Sequence, residues 1–143
     1  MADKVLVVDD ELRMRDLLSD FLPREGYNVL LASDGDEAIE LAKKVDPQVI
    51  LLDISMPKIN GLEVCKRLKT EEKTRFIPII MMTGFAYEKM EAVEAGADDF
   101  LSKPFDLIDL SFWLKSVLRI RYLTHEIERL AAYIEELELF RDS

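Results

Sequence analysis

The sequence predicts an α/β domain whose parallel sheet is covered by helices on both faces. Two observations lead there. Apolar runs of strand length recur at residues 5–8, 29–32, 49–52, 79–82 and, more weakly, 100–101. Helical apolar patterns lie between them in strict alternation, which is the sequence sign of parallel strands joined by crossover helices. The runs are also continuous rather than alternating, as expected of strands buried on both faces.

Each helix carries its own punctuation. Leu17, Leu18, Phe21 and Leu22 share one face of a first helix, expected to end near Pro23 to Gly26. Ala38, Ile39, Leu41 and Ala42 mark a second, entered through "SDGDE" and stopped before "DPQ". Leu62, Val64, Cys65 and Leu68 mark a third, which starts after "PKING". Met90, Val93 and Ala97 mark a fourth, with Gly96 as its C-terminal cap. Met81 and Met82 read as strand filler, Cys65 as packing, and Phe112 and Trp113 as the residues that seat the last helix on the sheet.

The chain has 143 residues, enough for one domain of about 119 residues and an added element. We divide it into a globular domain at residues 1–119 and a helical extension at 120–143. No apolar stretch approaches the roughly 18 residues a membrane span needs. The start, "MADKVLVVDDE", has acidic residues on both sides of its short apolar run, so it lacks a signal-peptide layout. The single cysteine precludes an intramolecular disulfide and suits a reducing cytoplasm, the expected location. Nineteen Lys and Arg stand against 29 Asp and Glu, a formal net charge of −10. Direct binding to nucleic acid is not expected of so acidic a chain, and neither is a membrane partner.

From Leu107 onward no Gly or Pro interrupts the chain, so one long helix is expected. Ile120, Leu123, Ile127, Leu130, Ile134 and Leu137 alternate spacings of three and four, a coiled-coil seam of roughly two and a half heptads. At about 1.5 Å rise per residue the seam spans roughly 27 Å, too long for one small domain to cover. It is expected to pair with a second copy of the chain, in parallel. The flanking pairs, Glu126 with Ala131 and Tyr133 with Glu138, add little ionic support. The alternative is an amphipathic helix folded back on its own domain. His125, in "HEIER", lies outward in the heptad register and reads as a solvated helix residue.

The unusual polar residues fall at one kind of place. Asp9 and Asp10 follow the first strand, Asp53 ends the third, Thr83 ends the fourth and Lys103 follows the fifth. In an open parallel sheet the carboxyl ends of the strands form one edge, and ligands bind where strand order reverses. If the first and third strands flank that point, Asp9, Asp10 and Asp53 converge. Converging carboxylates repel unless a cation neutralises them, and hard oxygen donors suit Mg²⁺ or Mn²⁺. A hydroxyl and a fixed cation beside such a metal, Thr83 and Lys103, are what a phosphoryl group requires. Asp53 is then the natural nucleophile, forming an acyl phosphate.

These segments carry a resemblance. "VLVVDDE", "VILLDISMPKINGLEV", "PIIMMTGFA" and "AGADDFLSKPF" resemble the signature segments of bacterial two-component response-regulator receiver domains, from about Lys4 to Leu118. Asp53 lies 43 positions after Asp10, and Thr83 lies 30 after Asp53, in the family's order. The resemblance implies a flavodoxin-like, doubly wound fold of five parallel strands in order 2-1-3-4-5 with five helices. It implies that Asp53 is the phosphoacceptor, charged from the phosphohistidine of a sensor histidine kinase or a histidine phosphotransfer protein. Asp10 and Asp53 would then ligate Mg²⁺ directly, Asp9 through water, and Ser55 through its backbone carbonyl. Thr83 and the Gly84 backbone would bind the phosphoryl oxygens, Lys103 would form an ion pair with them, and Phe100 would be the switch aromatic. The Lys103–Pro104 bond would be cis, and the chain would not be a turnover enzyme on an external substrate.

One spacing departs from the family. Only 20 positions separate Thr83 from Lys103, fewer than is common among receivers, which puts the geometry of the fourth helix in question. Phe85, two residues past Thr83, is large and apolar, and so a candidate to slow water attack on the phosphoryl group. The stretch "KSVLRIRYLTHEIERL" resembles linkers to cyclic-dinucleotide cyclase, phosphodiesterase or ATPase modules, so the output module is left open. A haloacid-dehalogenase-type phosphatase also combines Asp, Thr or Ser, Lys and Mg²⁺. That family places a second Asp two positions after its nucleophile, where this chain has Ser55. The other alternative, a stand-alone or degenerate interaction module, would need one of the anchors lost, and all are present.

Overall fold

The computed structural model describes residues 2–85 and 87–142, the last by its backbone alone. Strands and helices alternate: β1 (Lys4–Val8), α1 (Leu12–Arg24), β2 (Asn28–Ala32), α2 (Gly35–Val45), β3 (Val49–Asp53), α3 (Gly61–Thr70), β4 (Ile79–Thr83), α4 (Glu88–Glu94), β5 (Asp99–Ser102) and α5 (Leu107–Asp142). All four strand pairings are parallel, and the order is β2-β1-β3-β4-β5. Strand order therefore reverses between β1 and β3, the place that brings the ends of these two strands together.

The continuous apolar runs resolve into two faces at a period of two. Leu6, Val8, Ile50, Leu52, Ile79 and Met81 join one core cluster with Ala38, Ala42, Val64, Cys65, Leu68 and Ala92 from α2, α3 and α4. Val5, Val7, Val49, Leu51, Ile80 and Met82 join the other with Leu18, Leu22, Leu110, Leu114 and Val117 from α1 and α5. Each buried aliphatic side chain stabilises the fold by about 1.5–3 kcal/mol relative to exposure. Cys65 is buried, as read, and its thiol donates to the Ala95 carbonyl at 3.4 Å.

The helix starts follow from their caps. Asp34 accepts a hydrogen bond from the Glu37 N–H at 2.8 Å, and Asn60 accepts from the Glu63 N–H at 3.0 Å. Each satisfies an amide that the first turn would leave unpaired. Gly96, with φ of 96°, ends α4 in the left-handed region that glycine adopts without steric cost. α4 is short, at seven residues.

α5 divides by burial, not by a break. Leu110, Leu114 and Val117 are buried, and Arg121 Nη1 donates to the Gln48 carbonyl at 2.6 Å where the helix leaves the sheet. From position 120 onward Ile120, Leu123, Ile127, Leu130, Ile134 and Leu137 remain 48–67 % exposed, so the helix is not folded back on its own domain. One expectation needs correction. Trp113 packs against the core, but Phe112 is 65 % exposed. The seating positions are 110, 114 and 117, and position 112 falls to the other side of the helix.

Candidate functional site

β1 ends at Val8, and the chain turns at once through Asp9, Asp10 and Glu11 into α1. Asp9 is fully buried while Asp10 is exposed. Both Asp9 oxygens are engaged: Oδ1 accepts from the Glu11 N–H at 2.9 Å, and Oδ2 accepts from Lys103 Nζ at 3.0 Å. Arg15 Nη1 donates to the Asp9 carbonyl at 2.7 Å and fixes the turn from α1. Asp53, the last residue of β3, lies opposite these two across the β1–β3 boundary, and it is 5 % exposed. Ligand oxygens of Asp9, Asp10 and Asp53 lie within 4.8 Å of one another, the one such acidic cluster among the described residues.

Lys103 arrives from the far side of the sheet. It follows β5, and its backbone N–H donates to the Thr83 carbonyl at 2.6 Å, which ties it to the end of β4. The next bond, Lys103–Pro104, is cis, as expected. Its Nζ bridges Asp9 Oδ2 at 3.0 Å and Asp53 Oδ1 at 3.3 Å. One ammonium thus bridges two of the three clustered carboxylates. Burial first, then the negative charge of Asp9, raises the Asp53 carboxyl to about 6, although Lys103 pulls it down. Burial pushes the Lys103 ammonium down, but its hydrogen bond to Asp9 and the charges of Asp53 and Asp9 outweigh this and raise it.

Thr83 is buried at the end of β4, one position beyond the register partner of Asp53. Its Oγ1 lies 2.5 Å from Glu88 Oε1 and 3.0 Å from the Phe85 carbonyl oxygen, and it accepts from the Phe85 N–H at 3.1 Å. Gly84 and Ser55 are exposed on the loops after β4 and β3. Phe85 is 54 % exposed and stacks on Tyr87, with ring centroids 5.4 Å apart. Phe100 is half-buried against the core, and Lys89 Nζ lies 5.1 Å from its ring centroid. His125 is exposed on α5, within 3.8 Å of Glu128, in keeping with a solvated residue.

A family model for the response regulator receiver domain matches residues 5–114. The chain belongs to that family. It is 43 % identical over 121 residues to the alkaline phosphatase synthesis transcriptional regulatory protein PhoP of Bacillus subtilis, covering 83 % of this chain and 50 % of that protein. The receiver thus spans about half the length of that curated relative. Chemotaxis protein CheY4 of Vibrio cholerae superposes with a TM-score of 0.77 at 36 % identity, over 82 % of this chain and 99 % of that one. The receiver domain of sensor histidine kinase PA1611 from Pseudomonas aeruginosa superposes with a TM-score of 0.77 at 27 % identity, over 82 % and 98 % of the two chains, and that structure has a magnesium ion coordinated in its active site cleft. The chain therefore has the fold of a response regulator receiver domain. No helix among the described residues is long and apolar enough to cross a membrane.

Two residues at the site carry no mark of their role in the sequence. Gly61 reads there only as the end of "PKING", yet a Cβ on it would lie 2.2 Å from the Asp53 carbonyl oxygen. Its N–H donates to the Ile54 carbonyl at 2.9 Å, docking α3 directly beneath the Asp53 strand end. Glu88 is one acidic residue among many, and nothing in its neighbours points to Thr83.

Proposed function

We propose that Asp53 accepts a phosphoryl group from the phosphohistidine of a sensor histidine kinase or a histidine phosphotransfer protein. One observation carries this reading: a single lysine bridges two of three carboxylates that converge on one sheet edge. An Asp53 oxygen would attack phosphorus, forming the acyl phosphate O–P bond as the P–N bond to the donor imidazole breaks and the electron pair returns to the imidazole. Lys103 is within reach of the oxygens on Asp53 and would pair with the phosphoryl charge. Thr83 and the Gly84 backbone would donate to the other phosphoryl oxygens.

The acidic cluster fits a divalent cation by charge and donor type. Three carboxylates against one ammonium leave excess negative charge, and burial, with the charge of Asp9 second, raises the Asp53 carboxyl. Asp10 and Asp53 would hold Mg²⁺, or Mn²⁺ in its place, with Ser55 contributing its carbonyl. Asp9, whose oxygens are both engaged, suits contact through water. A bound Mg²⁺ would neutralise charge on the carboxylates and on the incoming phosphoryl oxygens. With acetyl phosphate and Mg²⁺ the protein is expected to gain one phosphoryl group by intact mass, and Asp10→Ala or EDTA should remove most of that yield. Labelling that is indifferent to both would place the cation elsewhere or make it unnecessary.

The same reading assigns residues 1–119 to the receiver and 120–143 to an extension that pairs with a second copy of the chain. Six exposed seam residues at heptad spacing support it. Phosphorylation would then change how the two receivers pack rather than create the dimer, and so act on an output module or partner. Sedimentation at roughly tens of micromolar is expected to show a dimer, lost in the full-length double variant Ile127→Lys, Leu130→Lys. A monomeric wild type with and without phosphodonor would remove the dimer from this scheme. The reading leaves the chain a signalling module of the cytoplasm, not an enzyme acting on an external substrate.

A further inference from the structure

The hydroxyl that this reading assigns to the phosphoryl group is already taken. Thr83 Oγ1 lies 2.5 Å from a Glu88 carboxylate oxygen and 3.0 Å from the Phe85 carbonyl. A hydroxyl has one proton to donate, and a carboxylate is the stronger acceptor of the two. A phosphoryl oxygen on Asp53 would require that same proton. The neighbouring residue, Lys89, places its ammonium over the Phe100 ring at 5.1 Å. Successive residues in the first turn of α4 therefore hold the hydroxyl and the aromatic ring of the expected switch.

We propose that Glu88 is a positioning residue that withholds the Thr83 hydroxyl, so that phosphorylation must break the Thr83–Glu88 hydrogen bond and release the first turn of α4. The proposal rests on Asp53 being the acceptor. Charge favours the release: a phosphoryl group adds negative charge where Asp9, Asp10 and Asp53 already crowd, and Glu88 is repelled as Thr83 turns away from it. Lys89 moves with that turn and uncovers Phe100. Because α4 has only seven residues, losing its first turn disturbs much of the helix, including exposed Met90 and Val93. Glu88 in this view sets how readily the site accepts a phosphoryl group, and it couples acceptance to the α4 surface.

Beryllofluoride, which mimics a phosphoryl group on a carboxylate, gives a direct test when titrated with Mg²⁺ present and followed by thermal shift. Glu88→Ala is expected to lower the half-saturating concentration roughly tenfold, the effect of losing one hydrogen bond to a charged acceptor. Glu88→Gln keeps an acceptor without the charge and should fall between, and it serves alone if the alanine variant does not fold. In a Thr83→Ala background the same Glu88 substitution should change the value by less than about twofold. Binding by Glu88→Ala or Glu88→Gln no tighter than wild type overturns the proposal. So does a gain of equal size without Thr83, since simple removal of charge would explain it. If wild type does not bind at all, or Asp53→Asn binds as well, the acceptor reading itself fails, a result distinct from failure of the Glu88 contact alone.

Discussion

Gly61→Ala is expected to destabilise the protein by about 3 kcal/mol or more, an effect at the upper end for overpacking. The added Cβ would stand 2.2 Å from the Asp53 carbonyl oxygen and 2.8 Å from the Ile54 Cα. Both are backbone atoms of the strand end that carries Asp53, so no side-chain rotation relieves the clash. The N-terminus of α3 must instead move away, and the hydrogen bond from Gly61 N–H to the Ile54 carbonyl goes with it. Asp53 should shift too, so phosphorylation is expected to fall further than stability alone dictates. Gly84→Ala is the control, because a Cβ there meets nothing within 4 Å. Denaturant unfolding checks both variants, and a Gly61→Ala variant within about 0.5 kcal/mol of wild type would contradict this close approach of α3 and β3.

Asp53→Asn is expected to stabilise the metal-free protein at neutral pH while removing the acceptor. The Asp53 carboxyl titrates near 6 in the folded chain against an ordinary 3.8. Below 3.8 the group is protonated folded and unfolded, and it costs nothing. As pH rises from there through about 6, the unfolded state loses its proton first, and wild type loses stability that the neutral amide retains. Above that window the advantage of the variant levels off at about 3 kcal/mol. The measurement is the difference between wild-type and Asp53→Asn unfolding free energies across pH, in EDTA. A difference that stays flat from pH 4 to 7 (roughly the titration window) would mean that burial and Asp9 do not disfavour the charged carboxylate. Mg²⁺ at about 100 times its Kd should return about 2.7 kcal/mol to wild type by mass action.

Much of this molecule could be read in its residues, for reasons that differ between its parts. The strands were readable because burial on both faces makes β1, β3 and β4 continuous apolar runs. The edge strand β5 was faint, since only four residues form it and just Leu101 is fully buried. Asp9, Asp10, Asp53, Thr83 and Lys103 stand out in the sequence because each ends or follows a strand at the same end, and a parallel sheet gathers those ends. The side on which Phe112 lies is not legible, because a run of apolar residues in one long helix does not by itself say which face meets the sheet. Glu88 could not be found: its contact with Thr83 depends on the short turn before α4, and an acidic residue in an acidic chain carries no mark. The role of Gly61 is steric and needs the positions of two backbones.

The acceptor assignment is tested most directly by intact-mass spectrometry of wild type and Asp53→Asn, incubated side by side with acetyl phosphate and Mg²⁺. Wild type is expected to gain a single phosphoryl group, in a bond labile to alkali as acyl phosphates are, and Asp53→Asn to gain none. Equal labelling of the two proteins would contradict the assignment of Asp53, and with it the roles of Thr83 and Lys103 toward a phosphoryl group on it.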